Sequence, residues 1–365
     1  MFHRSLIAGA CALGLSSLVP AFAHGPYTDG EWAGPRPDSH APMGVMGDHR
    51  HSAGEWMISY RYMPMSMSDN QQGTSSISDD TIATAIPNRF AGNPMQPPTL
   101  RVVPRDMRTD MHMVGAMVAP TDRVTLMAMA NYLKKEMTLT TYQGPTGTDT
   151  LGTFKTRNEG WGDIKLSALV GLASWTGHEL HLNAGISLPT GSTDESDQVL
   201  TPMNTRQKMR LPYGMQLGSG TYDLLPGLTY NGHYGWISWG AQYSGVIRTG
   251  ENDEGYTLGD EHEVTGWGAL RVTPWLSTSL RLSALSREDI DGRDERIMAP
   301  VQTADPNNYG GERVDLGIGA NLAGQSPALR GHRLGAELVS PIHQDVNGVQ
   351  LGMDWMATLA YQYSW

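Results

Sequence analysis

The stretch Leu180-His181-Leu182-Asn183-Ala184-Gly185-Ile186-Ser187-Leu188 places an apolar side chain at every second position and a polar residue or glycine between. Successive side chains of an extended strand point to opposite faces, so this stretch has one greasy face and one polar face. The same alternation recurs at Ile164, Leu166, Ala168, Val170 and Leu172, and at Val314, Leu316, Ile318, Ala320 and Leu322. Working outward, strands are expected near 54–63, 108–118, 123–133, 162–173, 179–188, 220–230, 236–248, 263–272, 275–286, 312–322, 332–340 and 353–365, twelve in all. A soluble β-sandwich would alternate in the same way with its apolar rows turned inward.

The connections argue against the sandwich. Short turns at Pro120-Thr121-Asp122, Trp175-Thr176-Gly177, Asn231-Gly232-His233 and Thr273-Pro274 alternate with long stretches near 64–107, 134–161, 189–219, 249–262, 287–311 and 341–352. Short periplasmic turns, long extracellular loops and an even strand number are the rule of outer-membrane barrels. The expected fold is therefore all-β, a single transmembrane antiparallel β-barrel of about twelve strands over residues 54–365. An unpaired backbone group in hydrocarbon costs several kcal/mol, so such a sheet must close on itself, which turns the polar rows inward.

Composition agrees. The 365 residues include 43 Gly and 22 Pro, a turn-rich balance, and 14 Tyr and 10 Trp against 4 Phe. Amphipathic rings favour the membrane–water interface. Trp56, Tyr60, Tyr62, Tyr132, Tyr222, Tyr230, Trp355, Tyr361 and Tyr363 lie near expected strand ends on the apolar rows. The chain ends Tyr361-Gln362-Tyr363-Ser364-Trp365, resembling the C-terminal insertion signal read by the barrel-assembly machinery. A net charge of -11 argues against a nucleic-acid partner, which requires a basic face.

Residues 1–23 read as a signal peptide: Arg4, an apolar run from Leu6 to Val19, and the small-x-small site Ala21-Phe22-Ala23. Export to the bacterial outer membrane follows. Cys11, the one cysteine, lies within that leader, so the mature chain lacks thiol chemistry and disulfides. A lipoprotein acylated at Cys11 is the weaker alternative, because the apolar run before it is short. Residues 24–53 form a His/Met/Pro-rich segment with His24, His40, Met43, Met46, His49 and His51, expected to be flexible and periplasmic. Some 30 residues are too few for a folded plug domain, which favours a passive or gradient-driven channel.

The motifs Gly162-Asp163-Ile164-Lys165, Leu188-Pro189-Thr190-Gly191 and Leu217-Gly218-Ser219-Gly220-Thr221-Tyr222-Asp223, running into Leu224-Leu225-Pro226-Gly227, carry a family resemblance. From about residue 54 onward the chain resembles the outer-membrane "transporter" family named after the meta-pathway of phenol degradation. That resemblance implies a bacterial outer-membrane barrel and passage of small molecules. It implies no catalytic residues, and it leaves the Met- and His-rich N-terminal third unexplained.

With the apolar rows on lipid, the opposite rows line the lumen. They carry Arg61, Lys165, Arg248, Arg271, Arg281, Arg313 and Arg333, with Asp163, Asp223, Asp315, Glu337 and Asp354 as acidic partners. These groups form either ion pairs that knit a polar interior or a basic wall that orients anions. The inward rows of the first three strands and the last carry Met57, Met63, Met111, Met113, Met117, Met127, Met129 and Met356, and Met65 and Met67 continue the period. Thioethers select Cu(I)-like ions, so a Cu or Ag ion is a candidate ligand, joined by His49 and His51 in the leading segment. The competing reading is adaptable packing.

The expected function is a channel or transporter for small solutes, either soft metal ions or small aromatic or apolar compounds. A closed barrel that sequesters copper-type metals is the alternative, and no enzyme is expected. The outward rows pair no His with a Ser, as a lipid hydrolase would. His178-Glu179-Leu180-His181 has the wrong spacing for a zinc-protease helix, and 289–295 lacks the closing Glu of a calcium loop. The remaining expected partners are outer-membrane lipid, and lipopolysaccharide bridged through divalent ions to the acidic loops around Asp194, Glu195, Asp197, Glu251, Asp253 and Glu254.

Overall fold

The alternating segments become strands close to where their pattern ends. A computed structural model describes residues 35–365; the expected leader and the residues following it up to 34 lie outside that range. The long strands are β1 (Trp56–Gly73), β2 (Val102–Thr121), β3 (Val124–Tyr142), β4 (Thr150–Trp161), β5 (Ile164–Trp175), β6 (His178–Leu188), β7 (Asp223–Tyr234), β8 (Ile237–Arg248), β9 (Glu261–Arg271), β10 (Leu276–Arg287), β11 (Gly311–Ala323) and β12 (His332–Ser364). Eleven of them close a ring in the order β1, β2, β3, β5, β6, β7, β8, β9, β10, β11, β12 and back to β1, each antiparallel to its neighbours. β4 pairs with the upper part of β3, and the two-residue strand Ser75–Ser76 pairs with β1, both outside the ring path.

Eleven elements stand where twelve segments were expected. The difference lies in β12, 33 residues long, which contains both the 332–340 and the 353–365 segments. Its residues 333–346 pair with β11 and its residues 346–364 pair with β1. Other boundaries moved as well: β1 runs on to Gly73 and β2 begins at Val102, both inside the expected 64–107 loop. The turn expected at Asn231-Gly232-His233 falls at Gly235-Trp236, where Gly235 takes φ +56°. β3 runs on to Tyr142, and β4 occupies most of the expected 134–161 loop. The outward face is charged there, with Lys134 and Glu136 opposite Glu159 and Arg157, while the apolar Leu133, Met137, Leu139 and Phe154 are buried, so the greasy-outward row that marks the other strands is missing.

The ring is inside-out, as required for lipid contact. Ile58, Val114, Leu126, Leu182, Leu280 and Ile318 are 40–62% exposed, while the interleaved Ser59, Thr125, His181, Ser279 and Asn321 are buried. A sandwich demands the reverse. Aromatic belts bound this apolar band. At the end bearing the short turns stand Trp56, Trp175, Tyr234, Trp236, Trp275 and Trp365, and toward the opposite end Trp161, Tyr222, Tyr243 and Trp355, all exposed. Trp355 pairs with Ser66, ten residues above Trp56; at about 3.3 Å per residue and a tilt of about 40°, the belts lie about 25 Å apart, the height of a hydrocarbon layer.

The largest apolar core sits above the upper belt. Phe90, Val102, Met107, Met137, Leu139, Phe154, Leu200, Leu211, Tyr213, Met215, Tyr256, Ile290, Ile297, Val301 and Leu351 pack the long loops into a cap at that end. Tyr213 sits edge-on to Tyr256 and Tyr309, at 4.8 and 5.6 Å between ring centres. Burial raises the Tyr213 and Tyr256 phenols to about 12, so both remain neutral hydrogen-bonding groups.

Candidate functional site

The lumen is occupied by the chain's own leading segment. Residues 24–53 were expected as a flexible periplasmic lead-in, and the structure describes them from 35 onward. Instead Pro37, Asp38, Ala41, Met43, Val45, Gly47, Asp48 and His51 are buried. The segment has no helix or strand, so its backbone groups need partners from elsewhere, and the inward polar rows supply them. Arg333 donates to Pro37 O at 2.8 Å and Arg36 O at 2.9 Å. Ser277 donates to Pro37 O at 3.0 Å, Ser238 to Asp38 O at 2.7 Å, and Gln242 to Met46 O at 2.9 Å. His181 and Asn183 donate to Gly47 O at 3.0 and 3.1 Å, and Asn231 to Asp48 O at 2.6 Å. Thr125 accepts from His51 N at 2.9 Å, and Glu179 pairs with Arg50. Asn321 donates to Ala41 O at 3.5 Å, so partners on seven strands, β3, β6, β7, β8, β10, β11 and β12, clasp one irregular segment.

Most of the expected lumen charges are present and paired. Arg281 and Glu337 form a buried ion pair at 2.7 Å, and Glu337 also accepts from Gly44 N at 2.7 Å, tying the pair to the segment. Glu263 lies 3.5 Å from Arg281. Arg248 pairs with Asp223 at 2.6 Å, and Arg313 with Asp315 at 2.9 Å. The basic residues therefore knit a polar interior more than they present a free anion-selecting wall. Arg61 is buried between Met113 and Ala360 on the neighbouring strands. Arg271 lies at the turn end and donates to Gly235 O at 3.2 Å. Asp163, in the break between β4 and β5, accepts from Gly191 N and Ser219 N at 2.9 and 2.8 Å and fastens the 189–222 loop. Asp354, expected on the lumen side, instead takes the hydroxyls of Ser66 and Ser68. A register shift between Ser66 and Met67 separates it from the Met356 row.

The methionines form cross-strand rows. Met57, Met117 and Met127 stand side by side on β1, β2 and β3 and pack on Leu169 below the segment. Higher up, Met353, Met67, Met107 and Met137 form a second row that merges with the cap core. Between them, Met63 pairs with Met111 and Met65 with Met356, while Met129 opposes Gly115 and Met113 opposes Arg61.

Beneath the cap, among the upper inward rows and the loops above them, lies a cavity of about 370 Å³. Its wall mixes Leu133, Leu225, Val246, Leu258 and Ile290 with Lys135, Lys165, Arg248, Asp223 and Glu261. A second cavity of about 330 Å³ opens at the turn end beside the segment, against Trp175, His178, Glu179 and Trp239. His40 and His49 face it. Burial holds the His40 imidazole well below its ordinary range, with Arg333 and His49 adding to the effect. His51 is lowered to about 4 by burial, then by His49. Burial would raise Asp48, but the His49 charge and hydrogen bond carry its carboxyl far below the usual range. At neutral pH the His40 and His51 rings are uncharged and the Asp48 carboxylate is ionised.

Sequence reading singled out His49 and His51 but not Asp48 or the luminal clasp. A signal existed in Asn183, Asn231, Ser238, Gln242 and Ser277 on inward rows, since buried polar groups require partners. It could not say that the partner was this segment.

No protein-family model and no curated protein sequence matches the chain. Among solved structures, an outer membrane channel from Pseudomonas putida F1 aligns over 88% of this chain and 99% of its own, at 14% identity and a TM-score of 0.57. The β domain of the Bordetella autotransporter BrkA aligns over 86% and 100% at 13% identity and a TM-score of 0.44. The monoaromatic hydrocarbon channel CymD aligns over 92% and 98% at 8% identity and a TM-score of 0.43. The first of these likenesses carries the fold, a closed outer-membrane-type β-barrel.

Proposed function

We propose that this protein is an outer-membrane channel for small, largely apolar solutes, closed at rest by its leading segment on the periplasmic side and by its loop cap on the outside. One observation carries this reading: exposed aliphatic rows between two aromatic belts surround a lumen that still contains a cavity of about 370 Å³. That volume suits a single small molecule, and a wall mixing aliphatic side chains with paired charges suits an apolar body bearing one polar group. The short turns would face the periplasm and the capped loops the medium. The fold shared with a protein named as an outer membrane channel supports the same reading. The paired lumen charges and packed methionines give metal ions no comparable path as cargo.

Planar-bilayer recording with liposome uptake tests it. The full chain should show low or flickering conductance, and a variant lacking residues 36–50 should show a several-fold larger one, with uptake of small aromatic acids. A deletion variant that is folded but electrically silent and takes up nothing overturns the channel.

A further inference from the structure

The imidazoles of the luminal segment have no role in solute passage, yet they are gathered. One ligand atom each from His40, Asp48 and His49 lie within 4.8 Å of one another. The His40 and His49 ring centres are 3.8 Å apart, and His51 stands edge-on to His49 at 4.9 Å. His40 Nδ1, His49 Nε2 and His51 Nε2 are all buried, and none has a hydrogen-bond partner among the described residues. Buried nitrogens are seldom left so, and three in one cluster point to a shared ligand. Asp48 is already oriented, with Oδ1 accepting from His49 Nδ1 at 2.8 Å and Oδ2 accepting from Ala41 N at 2.8 Å. A cation held by His49 Nδ1 and Asp48 Oδ1 takes the place of the proton those two atoms share, so the carboxylate that orients the ring can ligate beside it.

We propose that His40, Asp48 and His49, with His51 beside them, form a site for a borderline divalent cation of the Zn²⁺ class that locks the luminal segment in place. Two imidazoles and a carboxylate suit such an ion better than Mg²⁺ or Ca²⁺, which take oxygen ligands, or Cu(I), which prefers sulfur. Tetrahedral donors around zinc stand about 3.3 Å apart, so the cluster closes on the ion by side-chain rotation alone. The ion enters through the turn-end cavity that His40 and His49 line. Once bound, it joins residue 40 to residues 48 and 49, closing the segment into a ring. A ligand held only by the folded segment stabilises that state by mass action.

The site stands independently of whether the barrel conducts; a metal effect on current rests on the channel reading. Tag-free protein folded in detergent is titrated calorimetrically with ZnCl₂, alongside His40→Ala, His49→Ala and the distant control His112→Ala, with heat-modifiable gel migration reporting the fold of each. One equivalent of zinc should bind the full chain and His112→Ala alike, and at least tenfold more weakly in the other two. Bound zinc should also slow trypsin cleavage after Arg50. Absence of binding, or equal affinity in all variants, overturns the site. Zinc binding by a barrel that never conducts would sink the channel alone, and a conducting barrel without zinc binding would sink this site alone.

Discussion

At the residue scale the Arg281–Glu337 pair is the point where barrel wall and luminal segment meet. Both side chains are buried, and Gly44 N shares the carboxylate. Removing Glu337 leaves the buried Arg281 only the partly exposed Glu263 as partner, so Glu337→Leu should cost up to about 3–5 kcal/mol, while Arg281→Met with Glu337→Leu should recover most of it. Urea unfolding followed by tryptophan fluorescence in micelles measures both, and equal losses in the single and double variants would contradict the pairing. Gly44 is glycine for space: a Cβ there would collide with the Glu337 carboxylate and the Arg281 guanidinium. Gly44→Val should therefore expel this part of the segment and raise open-channel current several-fold in bilayer recordings while the barrel remains folded.

At the element scale the outward rows decide what solvent the strands meet. Leu280 stands in mid-β10 and is more than half exposed. Leu280→Arg should destabilise the barrel in liposomes by about 2–4 kcal/mol, the cost of a cation near the bilayer midplane. A neutral effect in the same unfolding measurement would mean that this row faces water. Element positions were legible wherever one face was greasy and the other polar, as in β6, whose ends match the expected segment to within a residue. They were illegible in upper β3 and β4, where charged residues take the outward face and the apolar ones turn under the cap. Side-chain pattern alone also cannot place a turn within a Gly-rich run, so Asn231-Gly232 was read as the turn that Gly235 makes.

For the whole molecule, sidedness and closure are the open consequences. The mature chain expected here has no cysteine, so a single one reports cleanly. Met203→Cys, in the exposed tip between the short strands Ser196–Leu200 and Arg206–Arg210, should react with an impermeant maleimide on intact cells. Thr176→Cys, at the opposite end, should react only after the outer membrane is opened. The reverse pattern would invert the barrel.

By itself, the sequence determined an inside-out sheet, because period-two apolarity and alternating connection lengths are local properties. It also determined the inward parity of most charges and methionines, since parity follows from strand geometry; Asp354 escaped it at a register shift that only the structure shows. Only the tertiary structure decided what fills the lumen and what caps it. An irregular segment has no periodicity to read, and its long-range hydrogen-bond partners lie 69 to 297 residues away, on seven different strands and their turns. The cap core likewise draws single apolar residues from several loops, which become a cluster only when the closed ring brings those loops together.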